Sequence, residues 1–484
     1  MAEALPEPGG PWLLERARRD PEGVALQLGD ESSSWRQLAA RVETLAGRLV
    51  ALGLAPGDRL AVLMEPSARL LEIVHAAQRC RVALVVLNPR LSAGEVAVLL
   101  AHAEPAVVLH DRAHAAVLTS VRPRIVEAGE ALDAVAPLAP PLAPLVDPAA
   151  VQTILYTSGT TGRPKGVMLT HGNHRASAAA SRGHLGRRAD DRWLCALPLH
   201  HVGGLSIVMR SVLDGTPLVL HPRFEPGAVW AAIRAHRITL MSVVPTMLHR
   251  LLEHPDAALP PTALRCVLVG GAALAPELHA RALARGIPVV PTYGLTEAAS
   301  QVATAELGAA TVAAGGVGRA LAGTRIRIAA ADRDGRGEVV IAGPTVMAGY
   351  FRDPAATAET LRDGWLHTGD VGRLDAEGGL QIFDRRTDVV ISGGENVYPS
   401  EVEQVLRAHP GIAEAAVYGV ADPEWGRRVQ AAVVLRAGSA LDEAALRHWC
   451  RDRLAGYKVP RRIVRVAALP RTASGKLQRH LLVG

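Results

Sequence analysis

Residues 157–166, TSGTTGRPKG, lie between the apolar runs TILY and VML. Gly159, Gly162 and Gly166 let a backbone turn several N–H groups toward one anion, and Thr157, Ser158, Thr160 and Thr161 add hydroxyl donors. Lys165 supplies a positive charge and Pro164 stiffens the exit. The chemistry such a loop suits is the holding of a phosphate chain. It is not the phosphate loop GxxxxGK[ST] that runs into a helix. Lys165 follows Gly162 by three residues, Gly166 comes next, and a β-like run follows. Strand–loop–strand is therefore the predicted context. Alone, a Gly/Thr hairpin also suits a plain flexible turn.

Three further stretches carry compatible chemistry. YGLTE places Tyr293, Gly294, Thr296 and Glu297 together after the apolar run IPVV. An aromatic ring can stack on adenine, and a Thr–Glu pair offers the hard oxygen ligands that Mg²⁺ prefers, along with phosphate oxygens. WLHTGD offers Asp370, whose carboxylate can accept both hydroxyls of a ribose. DRRTDVVISGGENVYP offers Arg385 and a second glycine turn. Singly, Tyr293 reads as core, Glu297 as a cap and Asp370 as a turn residue. Together, in this order, they specify a nucleotide site.

The elements that must position these residues can be read in outline. At 484 residues the chain exceeds one ordinary core, so two or more domains are predicted. A hydrophobic content of 49% is far from that of a disordered chain. SWRQLAARVETLAGRLVALGL has helical spacing and ends on a glycine, while RLAVLM, VALVVL and PAVVLH read as buried strands. This alternation predicts α/β layers with parallel strands. The proline-rich segment 136–148 reads as a surface connector. Beyond residue 388, hairpins, a helix opening at Pro399 and running to Ala408, two β-like runs and a helix around 441–454 form a small α+β unit. The boundary falls at 385–388.

Charge and cysteine content exclude other classes. Lys and Arg exceed Asp and Glu by 53 to 47, without the clustered runs of a nucleic-acid binder. Residues 388–484 hold 14 Lys+Arg against 10 Asp+Glu, which is most of the net excess. That suits either an Arg-rich solvated face or a domain that meets a polyanion such as coenzyme A. Cys80, Cys195, Cys266 and Cys450 lie far apart, as reduced buried thiols of a cytoplasmic protein do. No apolar run is long enough to span a bilayer, and MAEALPEPGGPW lacks the pattern of a signal peptide. Nothing in the sequence fixes the oligomeric state, and a homo-oligomer is compatible with it.

YTSGTTGRPKGV, YGLTE, WLHTGD, DRRTDVVISGGENVYP and the terminal LPRTASGK together resemble the signature set of the adenylate-forming superfamily of acyl-CoA synthetases, luciferases and peptide-synthetase adenylation domains. The resemblance covers the chain from about residue 11 onward. It implies an α/β fold with a large N-terminal domain of parallel and mixed sheets plus a β-rich subdomain (1–384). A hinge (385–387) then leads to a small mobile α+β domain (388–484). It implies ATP and coenzyme A as cosubstrates, with Mg²⁺. By the same resemblance Lys476 is the mobile lysine that neutralises charge on the α-phosphate. Thr160 and Glu297 serve the metal, and Thr296 with Glu297 the phosphates. Asp370 and Arg385 hold the ribose, and Gly270, Gly271, Ala272 and Tyr293 enclose adenine. Thr387 falls at the hinge, where many relatives carry Asp or Lys, and Gly393 and Gly394 let their loop lie close to pantetheine.

The acyl side is less defined. WLCALPLHHVGGLSIVMRSVLDG and GIPVVPTYGLTEAASQVAT resemble the 2-succinylbenzoate–CoA ligases of menaquinone biosynthesis more than fatty-acyl or acetyl ligases. His201 matches the histidine that the family places beside the acyl carboxylate. Read as a strand, adjacent His200 and His201 should face opposite sides. A second, aromatic carboxylate needs a cationic or hydrogen-bonding partner in a buried pocket. Arg210, Ser300 and Gln301 are the candidates, Arg210 being equally readable as a surface residue. The competing readings are a medium-chain or aromatic acyl-CoA ligase, a stand-alone amino-acid adenylation domain, and a non-catalytic nucleotide-binding regulator. Loss of Lys476, Glu297 or the glycine loop would mark the last, and all are present.

Overall fold

A computed structural model describes residues 10–118, 123–140, 146–158, 164–258, 263–272, 274–309, 315–385, 390–436, 438–439, 441–470 and 479–482. Two compact units divide the chain. Met1–Pro89, His102–Leu155 and Gly166–Asp384 form one, and Arg90–Ala101, Tyr156–Lys165 and Arg385–Gly484 form the other. A linear reading leaves 90–101 with its sequence neighbours. Side chains join it instead to the C-terminal residues: buried Lys458 donates to Glu95 at 2.6 Å and to Glu401 at 2.7 Å. A buried cation without such partners would be costly, so this segment is tied where its carboxylate is needed.

The predicted local elements form for identifiable reasons. The helix Trp35–Ala51 buries Trp35, Leu38, Val42, Leu45 and Leu49 along one stripe. Ser34 and Gln37 cap it reciprocally. Gly53, at φ +92°, donates to Val50 O and ends it. Arg59–Leu63, Ala83–Val86, Val107–His110 and Arg124–Glu127 pair in parallel. They belong to a seven-stranded sheet with Val151–Ser158, Pro164–Thr170 and Gly349–Tyr350. The glycine-rich stretch thus joins two strands, as its composition predicts.

A fourteen-stranded sheet supplies the second layer system. Trp193–Cys195, Leu218–Leu220, Leu240–Val243, Cys266–Val269 and Val289–Leu295 pair in parallel. Beyond Val289–Leu295 the pairing turns antiparallel, through Ser300–Thr304 and Gly316–Ala320 to the β-rich part that ends at Arg385. All four cysteines are buried and free. Burial pushes the thiols of Cys80, Cys195 and Cys266 up to about 12 and that of Cys450 up to about 11. No helix among the described residues is long and apolar enough to cross a membrane.

In the second unit Gly426–Leu435 pairs antiparallel with Ile412–Asp422 and Val390–Ser392 and in parallel with Arg462–Arg465. The helices Pro399–Arg407 and Glu443–Arg451 pack onto it over Val402, Leu406, Val417, Val429 and Leu446.

The reversal between Val289–Leu295 and Ser300–Thr304 is the tightest point of the fold near the predicted motifs. Ala299 and Ser300 both have positive φ, 51° and 97°. Non-glycine residues rarely adopt this conformation, and it persists only where the surroundings enforce it. Ser177 Oγ donates to Ala299 O at 2.6 Å and helps hold it. A Cβ on Gly294 would stand 1.9 Å from Ser300 O. Gly294→Ala should therefore lower stability by about 2–3 kcal/mol. The urea midpoint checks this; an unchanged midpoint would show that the turn can relax.

Candidate active site

The parallel strands of the larger sheet end at Cys195, Val243, Val269 and Leu295, all on one edge. Ligands of open α/β sheets bind at that edge, beyond the carboxyl ends of the strands. The segments that follow carry His200 and His201, Gly270 to Ala272, and Thr296 with Glu297. Gly270 lies so close to its neighbour strand that a Cβ would meet Thr292 Cγ2 at 2.9 Å, and Gly271 has φ +79°.

The two histidines do not sit on a strand. Residues 199–201 form a turn, and His201 is the extended residue before the helix Val202–Asp214, its carbonyl accepting from Gly204 N and Leu205 N. The expectation that the two rings face opposite sides is corrected accordingly. Their centroids are 4.4 Å apart with planes tilted by 51°. Alternation belongs to extended strands, and a turn brings neighbouring side chains together. Gly204 has a packing reason, since a Cβ there would meet Pro198 O at 2.3 Å. The N-terminal end of this helix also favours an anion.

Tyr293 and Asp370 are brought into direct contact. The phenol donates to Asp370 Oδ2 at 2.6 Å, a short bond to an ionised acceptor. Both residues are buried. Asp370 N donates to Thr368 Oγ1, whose hydroxyl donates to Val339 O. Tyr293 thus holds the Asp370 carboxylate, and Thr368 holds its backbone. Thr296 and Glu297 occupy a short 3₁₀ turn at the tip of the strained reversal. Tyr350 donates its hydroxyl to Glu297 Oε1 at 3.0 Å, and Met347 N donates to Glu297 O. Nothing in the sequence near Glu297 signals Tyr350, which is 53 residues away.

Arg210 is not a surface residue. It lies on the helix Val202–Asp214 at 2% exposure, its guanidinium over the Trp193 ring at 5.6 Å. Its Nη2 donates to Ser300 Oγ at 3.4 Å. Ser206, one turn earlier, lies 3.2 Å from the same Ser300 oxygen. Residues four apart share a helix face, so Ser206 was findable from Arg210 by spacing alone. Burial lowers the Arg210 pKa to about 10, with Asp214 opposing the fall. Its Nε has no hydrogen-bond partner. Gln301 does not join this group. It follows Ser300 on the strand and points the other way, its Nε2 3.1 Å from Thr304 Oγ1 and its Oε1 unpartnered. Alternation along the strand separates the two candidates.

The remaining candidates lie in the second unit or outside the described residues. Thr157 is the penultimate residue of the strand Val151–Ser158, and half-buried Lys165 is the second residue of Pro164–Thr170. Gly393 and Gly394 form a two-residue hairpin turn with φ 60° and 86°. A Cβ on Gly393 would stand 2.7 Å from the Trp425 ring, over which Arg461 also lies. Gly159, Thr160, Thr161, Gly162, Thr387 and Lys476 lie outside the described residues, as do the side chains of Ser158 and Arg385.

The arrangement suits a nucleotide and a second anionic substrate. Residues 13–351 match the AMP-binding enzyme family, and residues 401–476 match the AMP-binding enzyme C-terminal domain. The chain is similar to 2-succinylbenzoate–CoA ligase of Bacillus cereus (strain Q1), 39% identical over 489 residues and covering 97% of each chain. Among solved structures it is similar to a double mutant of o-succinylbenzoate CoA synthetase from Bacillus subtilis bound with its product analogue OSB-NCoA. The TM-score there is 0.92 at 38% identity over 98% of each chain. The same enzyme in complex with the acyl-adenylate intermediate OSB-AMP gives a TM-score of 0.75 at 38% identity, again over 98% of each chain. In complex with ATP and magnesium it gives 0.74 at 37% identity, over 98% of this chain and 99% of that one. The chain belongs to the AMP-binding enzyme family and carries the mixed α/β fold of its adenylate-forming members.

Proposed function

We propose that this protein is an AMP-forming acid–CoA ligase that converts 2-succinylbenzoate, ATP and coenzyme A to 2-succinylbenzoyl-CoA, AMP and pyrophosphate, the activation step of menaquinone biosynthesis. Similarity along the whole chain to ligases of that name supports the reading. The observation that carries the choice of acid is the buried Arg210, with Ser300 and Ser206 beside it. A monocarboxylic fatty acid has no use for a buried guanidinium, whereas a second carboxylate needs one.

A carboxylate is a poor acyl donor because its leaving group would be oxide. In the first half-reaction a carboxylate oxygen attacks the α-phosphorus of ATP, and pyrophosphate leaves with the electron pair of the broken P–O bond. In the second, the coenzyme A sulfur attacks the acyl carbon and AMP departs with the C–O pair. Charge building on the α-phosphate would be met by Lys476 and by the donors of the 157–165 stretch. Asp370, oriented by Tyr293, and Arg385 would hold the ribose. Gly270, Gly271, Ala272 and the Tyr293 ring would border adenine.

Mg²⁺ would neutralise phosphate charge when bound. Glu297 fits it as a hard, half-buried oxygen donor already oriented by Tyr350, with Thr160 as the second candidate. His201 would stand beside the acyl carboxylate at the helix N-terminus, where negative charge is favoured. Residues 1–384 would bind ATP and the acid. The hinge at 385–387 would let residues 388–484 offer Lys476 in one half-reaction and the Gly393–Gly394 turn in the other.

Pyrophosphate release across 2-succinylbenzoate, benzoate, fatty acids and amino acids tests the reading directly. The expected kcat/KM is at least about tenfold higher for 2-succinylbenzoate than for the rest; a flat profile would leave the chemistry and remove the substrate. Lys476→Ala should slow acyl-adenylate formation on the order of 10²–10³-fold while sparing thioester formation from supplied acyl-adenylate. Equal loss of both steps would contradict that role. Arg210→Ala should cost the dicarboxylic substrate about 10–100-fold in kcat/KM, from the loss of a charge-assisted bond, and its monocarboxylic analogue little. Equal effects would remove Arg210 from the acid site.

A further inference from the structure

The helix Val202–Asp214 ends in a second buried charge that neither half-reaction uses. Asp214 lies one turn beyond Arg210 and is 8% exposed. Four arginines act on it: Arg210 on its own helix, Arg182 and Arg187 from the helix His171–Leu185 and the segment after it, and Arg16 from Trp12–Arg19. Arg182 Nη1 stands 3.8 Å from Asp214 Oδ1, an oxygen with no hydrogen-bond partner. Arg16 is committed to the helix end, donating to Val212 O at 3.1 Å and Leu213 O at 2.7 Å.

Asp214 borders a narrow cleft, lined also by Ser181, Arg182, Arg187, Asp191 and Trp193. Asp191 is taken up there by Arg265, which donates to both of its oxygens at 2.7 Å. Asp214 is the carboxylate left to balance the arginines. Ser181 Oγ and Trp193 Nε1 lack hydrogen-bond partners, so polar groups converge on this cleft without satisfying one another.

Arg210 does not depend on Asp214 for its orientation. Trp193 lies against its guanidinium and Ser300 accepts from its Nη2, and neither contact involves the carboxylate. Asp214 therefore acts on the pocket through its charge, in surroundings where charges are poorly screened. A negative charge one helical turn behind the cation opposes a second negative charge arriving in front of it.

We infer that Asp214 is a specificity-tuning residue of the acid site, whose buried carboxylate weakens the hold of Arg210 on the substrate's second carboxylate and so limits retention of a product that still carries it. The inference rests on the reading of Arg210 given above. Burial pushes the Asp214 carboxyl up to about 6, with Arg182, Arg210, Arg187 and Arg16 pulling it down. As pH falls through that value Asp214 becomes neutral and its opposition disappears. Selectivity for the dicarboxylic acid should then rise toward acid pH.

The test measures kcat/KM and KM for 2-succinylbenzoate and for the analogue lacking the aromatic carboxylate, from pH 5.5 to 8, in wild type, Asp214→Asn, Asp214→Glu and Arg210→Ala. The ratio of the two substrates cancels titrations common to both. In wild type this ratio should rise about tenfold toward low pH. Asp214→Asn should hold the high ratio at every pH through a lower KM for the dicarboxylic acid, and Asp214→Glu should behave as wild type. A flat wild-type ratio overturns the inference even if the Asn variant does not fold, and so does a raised KM for the dicarboxylic acid in that variant. Equal losses for both substrates in Arg210→Ala would instead overturn the reading of Arg210 beneath it.

Discussion

The strand Val289–Leu295 has a parallel neighbour on one side and an antiparallel neighbour on the other. The chain can reverse after it because Gly294 has no side chain to collide with Ser300 O. Much of the candidate site hangs on this point. Tyr293 leaves the strand just before the reversal and meets Asp370. Thr296 and Glu297 occupy its tip. Ser300 leaves it in a left-handed conformation and meets Arg210. A looser turn would free four functional candidates at once, which gives a physical reason for strain to be held here.

A second constraint acts through the helix Val202–Asp214. Ser206, Arg210 and Asp214 recur every fourth residue, forming a polar stripe on a helix whose residues from 204 to 212 are all buried. A buried helix cannot offer such a stripe to bulk water, so the stripe must border other polar groups or a ligand. Its first part meets Ser300 and its last part meets the arginines behind. One helix thereby joins the Arg210–Ser300 group to the charges behind it.

Local features were legible in the sequence. The helix at Trp35–Ala51 announces itself through spacing, cap and terminal glycine, and the parallel strands do so through short apolar runs. The strand–loop–strand context of the glycine-rich stretch follows from the residues after Lys165. What sequence reading placed wrongly depended on tertiary context. The turn at residues 199–201 looked like strand because its neighbours are apolar. Gln301 looked equivalent to Ser300 because alternation needs a known register. For Arg210 the sequence left pocket and surface equally open, because a charged residue on a helix is usually exposed. The attachment of 90–101 rests on Lys458, more than 350 residues away, and no local pattern records it.

The same distinction explains why the nucleotide is easier to read than the acid. A phosphate chain is held largely by backbone N–H groups, so recognising it requires glycines and threonines at short spacing. The side chains proposed to recognise the acid come from separate elements: Arg210 and Ser300 are 90 residues apart. Neither residue forms a motif with its sequence neighbours, and each has an ordinary structural use. The fold brings Ser300 to both Ser206 and the Arg210 guanidinium. The influence proposed for Asp214 is electrostatic, and no linear pattern records it. On the proposed reading, substrate choice rests on long-range packing and on charge held at a distance, the two properties a linear motif cannot carry.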